Sequence, residues 1–281
     1  MRFRPCGSAR SSTVHRRWLS FDMELLLLIA ALGVLTGFLS GLLGIGGGII
    51  MAPLLLYTPQ LFHLEPLTMR VVAGLTIVQG LAACISGALT HHKFQFVSRR
   101  LVLYMGTSIF VAALIGGAGA KLVSNDLLLV VFGGLALSAA ALMLVPMKHD
   151  SERPDVERLE FSRWRAVGTA SGVGLLGGLV GQGGSFILIP LMTSFVHIST
   201  RIAIGSNLAI VLLSTAAGFL GKAFTGQIEW LLAVPLVLTV PLAAYVGSRV
   251  SRRVPVLALR RALAVLIAVA AARIWLSVAF G

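Results

Sequence analysis

The sequence predicts an all-α polytopic membrane protein with about eight transmembrane segments, arranged as two homologous four-segment halves whose first helices are broken by glycines. Three observations predict this fold. Of the 281 residues, 57% are hydrophobic and 12% are charged, about half the charged fraction of soluble domains. Apolar runs long enough to cross a bilayer recur along the chain. A glycine-rich stretch occurs twice, at 37–54 and at 174–191.

Eight apolar segments follow a basic N-terminal extension, residues 1–22. They are 23–57, 68–90, 101–121, 126–147, 166–196, 202–221, 230–248 and 255–280. A charged linker, residues 148–165, separates the fourth segment from the fifth and holds five of the ten acidic residues. We therefore expect a first membrane repeat over 23–147 and a second over 166–281. The extension is either a cytoplasmic basic tail or sequence that precedes a start codon at Met23.

The duplication rests on two motifs that occur in the same order in both halves. GFLSGLLGIGGGIIMAPL and GLLGGLVGQGGSFILIPL share ten identical positions. Further along, RVVAGLT matches RIAIGSN and aligns Arg70 with Arg201. Duplicated, glycine-broken apolar segments are typical of transporters built from repeats, with the substrate site where the broken segments meet.

The first segment is too long to be one straight transmembrane helix. Its 35 residues would extend about 52 Å at 1.5 Å per residue, against a hydrocarbon core of about 30 Å. We expect breaks at 44–48 and 181–185. Unwound backbone at membrane depth must be buried in protein or line a cavity, and a half-helix N-terminus binds anions. The predicted substrate-binding residues of these breaks are Gly44, Gly46, Gly47, Gly48, Gly181, Gln182, Gly183, Gly184 and Ser185.

Other glycines have a simpler explanation. They recur at four-residue spacing, which is typical of close helix packing. This group comprises Gly33, Gly37 and Gly41, then Gly168 and Gly172, then Gly174 and Gly178.

Ionisable and polar side chains favour an anionic substrate. No Asp or Glu lies in the middle of an apolar segment, which disfavours cation transport. Arg70 and Arg201 head equivalent spans, where they either clamp an oxyanion as a pair or extend to the membrane interface. Thr76, Gln79, Ser206 and Asn207 lie further inward and either face the substrate or bond a neighbouring helix. Lys121, Lys222 and Arg273 stand near segment ends, and we expect them to reach the interface.

The remaining composition excludes several classes of function. The net charge of +13 comes from residues that flank apolar runs, which sets membrane orientation and does not indicate nucleic-acid binding. The arrangement of basic residues leaves the orientation open. No cluster of acids, histidines or cysteines suggests a catalytic residue, a metal site or a cofactor. Oligomeric state is also left open by the sequence.

The two glycine motifs, each followed by an arginine-headed span, resemble the TauE/SafE family of sulfite/sulfonate exporters. The resemblance covers the chain from about Met23 to the end, and it implies that the glycines of the two breaks belong to the family signature. It implies a multi-pass secondary transporter of the cell (inner) membrane. Such a protein would export a small anion, such as sulfite, a sulfonate or a related organic acid, by alternating access between two repeats. The alternatives are a membrane-embedded enzyme and a non-transporting membrane subunit.

Overall fold

The computed structural model describes residues 9–43, 48–90, 98–144, 161–182 and 184–251, and six residues of the last segment (265, 268, 269, 272, 275 and 276). The regular structure of these residues is helical throughout. The helices are α1 (Ala9–Leu43), α2 (Gly48–Leu61), α3 (Met69–Thr90), α4 (Arg99–Gly119), α5 (Asn125–Leu144), α6 (Arg163–Val180), α7 (Ser185–Ser194), α8 (Thr200–Phe224) and α9 (Trp230–Ser251).

The helices agree closely with the predicted apolar segments. Within the described ranges, four helical stretches are long and apolar enough to cross a membrane: Met23–Leu42, Met69–Ser86, Arg99–Leu122 and Trp230–Val250. The shorter apolar helices are Gly48–Leu61, Asn125–Ala139 and Ala209–Phe224. Most of the eighth predicted segment, 255–280, lies outside the described residues, and the count of eight spans stays a prediction.

Each long glycine-containing segment is divided into two helices, as the sequence predicts. The first ends at Leu43 and restarts at Gly48, and the second ends at Val180 and restarts at Ser185. The hydroxyl of Thr36 in α1 lies 3.3 Å from the sulfur of Met51 in α2. Because these residues lie on either side of the first break, α2 folds back against α1 rather than continuing it.

α1 and α9 run in the same direction and pack closely. Gly33 lies against Leu236, and Gly41 lies against the backbone of Ala244, so residue numbers rise together along both helices. A Cβ at Gly41 would overlap the Ala244 carbonyl. This contact depends on the absence of a side chain, as in other small-residue helix pairs.

α3 runs parallel to α9 as well. Gly74 packs against the carbonyl of Gln227, just before α9 begins. Further along, the Ser86 hydroxyl donates to the carbonyl oxygen of Pro241 at 2.8 Å. Contacts at both ends fix the relative direction, so α1, α3 and α9 form one parallel group.

α4, α6 and α8 form a second parallel group. Their close contacts pair residues whose numbers rise together: Gly174 with Ile109, Gly178 with Ala113, Gly106 with Leu213, and Gly117 with Gly218.

The two groups run in opposite directions where α3 meets α8. Ile77 lies against Gly218, and the side chain of Cys84 lies against that of Thr215. Residue numbers rise along one helix as they fall along the other. The N-terminus of α3 therefore lies beside the C-terminus of α8.

The glycine spacing predicted helix contacts correctly at most positions and wrongly at two. Gly33, Gly37 and Gly41 pack on α9, and Gly174 and Gly178 pack on α4. Gly168 and Gly172 have open space, within the described residues, where a Cβ would project. They lie on the outward face of α6, and no described helix packs there.

Candidate functional site

The second break is defined by two glycines with left-handed backbone. Gly181 has φ +75° and ends α6, and Gly184 has φ +70° and precedes α7. The N–H of Gln182 donates to the carbonyl of Gly177 at 2.8 Å, and that of Gly181 donates to Gly178 at 3.3 Å. These bonds form a Schellman-type helix end, for which an L side chain at Gly181 is unfavourable.

Close packing also restricts these two positions. A Cβ at Gly181 would overlap the carbonyl oxygen of Ala73 in α3, and one at Gly184 would overlap the side chain of Val173 in α6. The backbone therefore contacts α3 at Gly181. Three residues later, at Gly184, it contacts α6 again. Gly183 lies outside the described residues, as do Gly44, Gly46 and Gly47 of the first break.

The two broken segments meet directly. The side-chain Nε2 of Gln182 donates to the backbone carbonyl of Gly48 at 2.8 Å. Gly48 and Gln182 are both buried, and Gly48 is the first residue of α2. The N-termini of α2 and α7 thus lie on either side of this contact. The backbone of Ser185 begins α7, while its side chain falls outside the description.

A buried polar cluster lies beside the first break. The Thr36 hydroxyl donates to the carbonyl of Leu32 at 2.7 Å and accepts a hydrogen bond of 3.3 Å from Nε2 of Gln79. Thr36 and Gln79 are both fully buried. The structure thus places Gln79 against the broken helix, and its contact with substrate stays a prediction. Thr36 was not among the predicted site residues. Its position as a lone hydroxyl between Gly33 and Gly37 is the feature of the sequence that could have indicated it.

The other predicted polar residues differ in their contacts. Thr76 donates to the carbonyl of Ala73 at 3.3 Å within its own helix. The Ser206 hydroxyl accepts from the backbone N–H of Ser98 at 3.1 Å, at the start of α4. Asn207 is buried, and its Oδ1 has no hydrogen-bond donor among the described residues. Their contact with substrate stays a prediction.

The two equivalent arginines lie at opposite ends of α8. Arg70 is close enough to Lys222, near the C-terminus of α8, for its charge to act there. Arg201 is the second residue of α8, about 31 Å away at 1.5 Å per residue. A small anion cannot contact both, so the expected clamp is corrected to two separate positions. The side chain of Arg201 lies outside the described part of the chain.

Arg70 is held by the start of α5. Its Nη2 donates to the carbonyl of Val123 at 2.9 Å, and its backbone N–H donates to Oδ1 of Asn125 at 3.2 Å. The guanidinium is half-buried and does not simply extend to the interface. Its Nε is buried without an acceptor among the described residues.

Lys222 was expected to reach the membrane interface, and that expectation was wrong. The residue is 0% exposed, and its Nζ donates to the carbonyl of Leu179 in the last turn of α6 at 3.1 Å. The sequence does not indicate this burial, because Lys222 directly follows the predicted apolar segment 202–221. A cation buried beside a helix C-terminus is favoured by the helix dipole.

Metal-ligand types do not converge in the described residues. No group of three or more His, Cys, Asp or Glu side chains is placed there so that it could hold a metal ion. The described acidic side chains of Glu24, Glu65, Asp126 and Glu229 are all exposed. Among the described residues, the polar groups beside the breaks are amides, hydroxyls, backbone groups and the two cations Arg70 and Lys222.

Comparisons with known proteins identify a family and several membrane-transporter relatives. The model of the family described as sulfite exporter TauE/SafE matches residues 29–274. The chain is 25% identical over 243 residues to "Probable membrane transporter protein YunE" of Bacillus subtilis, covering 80% of this chain and 88% of that protein. It is 26% identical over 244 residues to "Probable membrane transporter protein YdhB" of the same organism, covering 86% and 95%. A "Probable membrane transporter protein" of Haemophilus influenzae is 25% identical over 264 residues, covering 89% and 98%. No solved structure matches the chain.

Proposed function

This chain belongs to the sulfite exporter TauE/SafE family, and from that premise we propose that it is a secondary transporter which exports a small anion across the cell (inner) membrane. Sulfite, a sulfonate or a related organic acid is the proposed substrate. The observation that carries the proposal is the hydrogen bond from Gln182 to Gly48, which brings the two glycine-broken segments together inside the protein. In repeat transporters, substrate binds where such segments meet.

A two-repeat architecture is supported by contacts that recur at fixed offsets. The glycine motif repeats after 137 residues, from Gly37 to Gly174, and the arginine motif after 131, from Arg70 to Arg201. Shifted by these offsets, contacts between α1 and α9 become contacts between α6 and α4. The matching pairs are Gly37–Val240 and Gly174–Ile109, Gly41–Ala244 and Gly178–Ala113, and Phe38–Gly247 and Leu175–Gly116.

The relation between the proposed repeats is an inversion. Cys84 and Thr215 are equivalent under the 131-residue offset, and their side chains lie against each other. Equivalent residues meet in this way only near a twofold axis, and the equivalent helices α3 and α8 run in opposite directions. Inverted repeats of this kind support alternating access, because each repeat can adopt the conformation of the other.

An anionic substrate is favoured by the groups at the junction. α2 and α7 both begin there, and the first N–H groups of a helix lack acceptors within the helix. Each N-terminus also carries about half a positive charge. The acidic side chains that the structure describes are exposed, so none of them is placed to hold a cation in the interior. In the proposed cycle, the anion accepts hydrogen bonds from N–H groups at the break, where it competes with the Gly48 carbonyl for the side-chain amide of Gln182.

Flux measured in proteoliposomes tests this function. Vesicles containing the purified protein are loaded with sulfite, methanesulfonate, acetate or a rubidium salt, and release is compared with that from protein-free vesicles. We expect saturable release of at least one anion and no release of rubidium. Rubidium release, or anion release equal to that from empty vesicles, would overturn the proposal.

A further inference from the structure

A lysine is buried at the end of α8 beside the second break. Lys222 has no exposed surface, and its Nζ donates to the carbonyl of Leu179 at 3.1 Å. An ammonium group has three N–H donors, and the described residues give this one a single acceptor. Burying a charge is costly unless the charge is paired and fully hydrogen-bonded.

The nearest described charge makes this burial less favourable. Arg70 repels Lys222, and no described carboxylate lies against the pair. The Arg70 guanidinium bonds the Val123 carbonyl through Nη2, while its buried Nε has no acceptor among the described residues. The two cations therefore retain unused donors and an uncompensated positive charge. A small anion would satisfy both.

The pair lies at the second break rather than at a distant surface. Leu179, which accepts from Lys222, is two residues before Gly181. Gly181 packs against Ala73, which lies one turn of α3 beyond Arg70. Through these contacts with Leu179 and Gly181, both cations lie close to the segment that contains Gln182.

We propose that Lys222 and Arg70 form a binding site for a small oxyanion at this end of the transport path. The proposal rests on the proposed function, because the bound anion is taken to be the transported one. Arg70 supplies a planar guanidinium and Lys222 a compact ammonium, a combination that suits sulfite, sulfonate or carboxylate oxygens. A purely structural Lys222, which only caps α6, would need no anion.

Anion binding to the purified full-length protein distinguishes these roles. Sodium sulfite and sodium methanesulfonate are titrated in nanodiscs by calorimetry, with sodium chloride at equal ionic strength as the reference. We expect saturable binding to the wild type and at least tenfold weaker binding to Lys222→Met and Arg70→Gln. Lys121→Met is the matched control, because Lys121 is exposed at the same end of the bundle. It should bind within twofold of the wild type.

Thermal unfolding without added anion provides the second measurement. A lysine that only caps α6 predicts a lower melting temperature for Lys222→Met with unchanged anion affinity, and that result would overturn the inference. So would a wild type that binds neither anion. If Lys222→Met does not accumulate in the membrane, two other variants are tested in its place. We expect Lys222→Arg to retain anion binding and Arg70→Gln to weaken it. Unchanged binding in Arg70→Gln then counts against the site.

Flux separates this inference from the proposed function. If Lys222→Met releases anion at the wild-type rate, the proposed binding site is refuted and the proposed transport function is retained. Absence of anion release from the wild type would refute transport, whatever the titrations show.

Discussion

Gln182 and Gly48 lie 134 residues apart in the chain and are joined by a buried hydrogen bond of 2.8 Å from the amide Nε2 to the carbonyl oxygen. The bond connects the two interrupted segments at the points where their second helices begin. The halves differ here, because Ile45 stands in the first motif where Gln182 stands in the second. Only one side of the junction can therefore donate through a side chain at this position.

Replacement of Gly181 should be far more damaging than replacement of Gly226. Both have positive φ, +75° and +69°, but a Cβ at Gly181 meets Ala73 whereas one at Gly226 meets open space. Gly226→Ala should cost about 1 kcal/mol from backbone strain alone. Gly181→Ala adds steric overlap with backbone. Thermal unfolding in detergent should show a small shift for the first and little folded protein for the second; equal shifts would contradict the packing of α6 on α3.

Glycine packing gives a second matched pair on one helix. A Cβ at Gly178 would overlap the carbonyl of Ala113, while one at Gly168 projects into open space. We expect Gly168→Ala to keep the wild-type melting temperature or raise it slightly, because alanine favours helix by about 1 kcal/mol. Gly178→Ala should separate α6 from α4 and lower the melting temperature by several degrees. A tolerated Gly178→Ala would show that the two helices are not in close contact.

The separation of the two arginines predicts independent effects. Arg70 lies near one end of α8 and Arg201 begins the other. Sites this far apart usually contribute additively. The apparent affinity for the transported anion should therefore change in the Arg70→Lys, Arg201→Lys double variant by the product of the single changes. Strong coupling between the two substitutions in a double-mutant cycle would contradict the separation and indicate that the two arginines bind the anion as a pair.

The opposite ends of α8 should also be accessible from opposite sides of the membrane. Leu122 is 90% exposed and precedes Val123, which holds Arg70, while His197 is exposed shortly before α8. In a Cys6→Ala, Cys84→Ala background, single cysteines at 122 and 197 should react with an impermeant maleimide from different sides of sealed vesicles. Labelling from the same side would contradict α8 as a membrane span.

The sequence predicted correctly those helix features that depend on segment length and glycine spacing. The interruption of both glycine segments followed from their excess length and from the cost of glycine in a helix. The packing of Gly37 and Gly41 followed from their spacing, but spacing could not show that Gly168 and Gly172 face outward, because that depends on which helix lies opposite.

Side-chain roles were less predictable because they depend on helix direction. Arg70 and Arg201 are equivalent in sequence, and only the antiparallel arrangement of α3 and α8 separates them. Lys222 was placed at the interface because it is near a segment end, whereas α6 ends beside it and covers it. Ser206 was expected either to face the substrate or to bond a neighbouring helix, and its hydroxyl accepts from the backbone N–H of Ser98 at the start of α4.

Anion release from proteoliposomes containing Gln182→Leu tests the central claim most directly. Leucine keeps the volume of the side chain and removes the donor to Gly48, and Gln60→Leu on the exposed end of α2 is the control. We predict that the wild type and Gln60→Leu release sulfite or methanesulfonate at similar saturable rates, and that Gln182→Leu releases it at least tenfold more slowly while remaining folded. Release by Gln182→Leu at the wild-type rate would contradict the claim that the meeting of the two broken segments is the transport site.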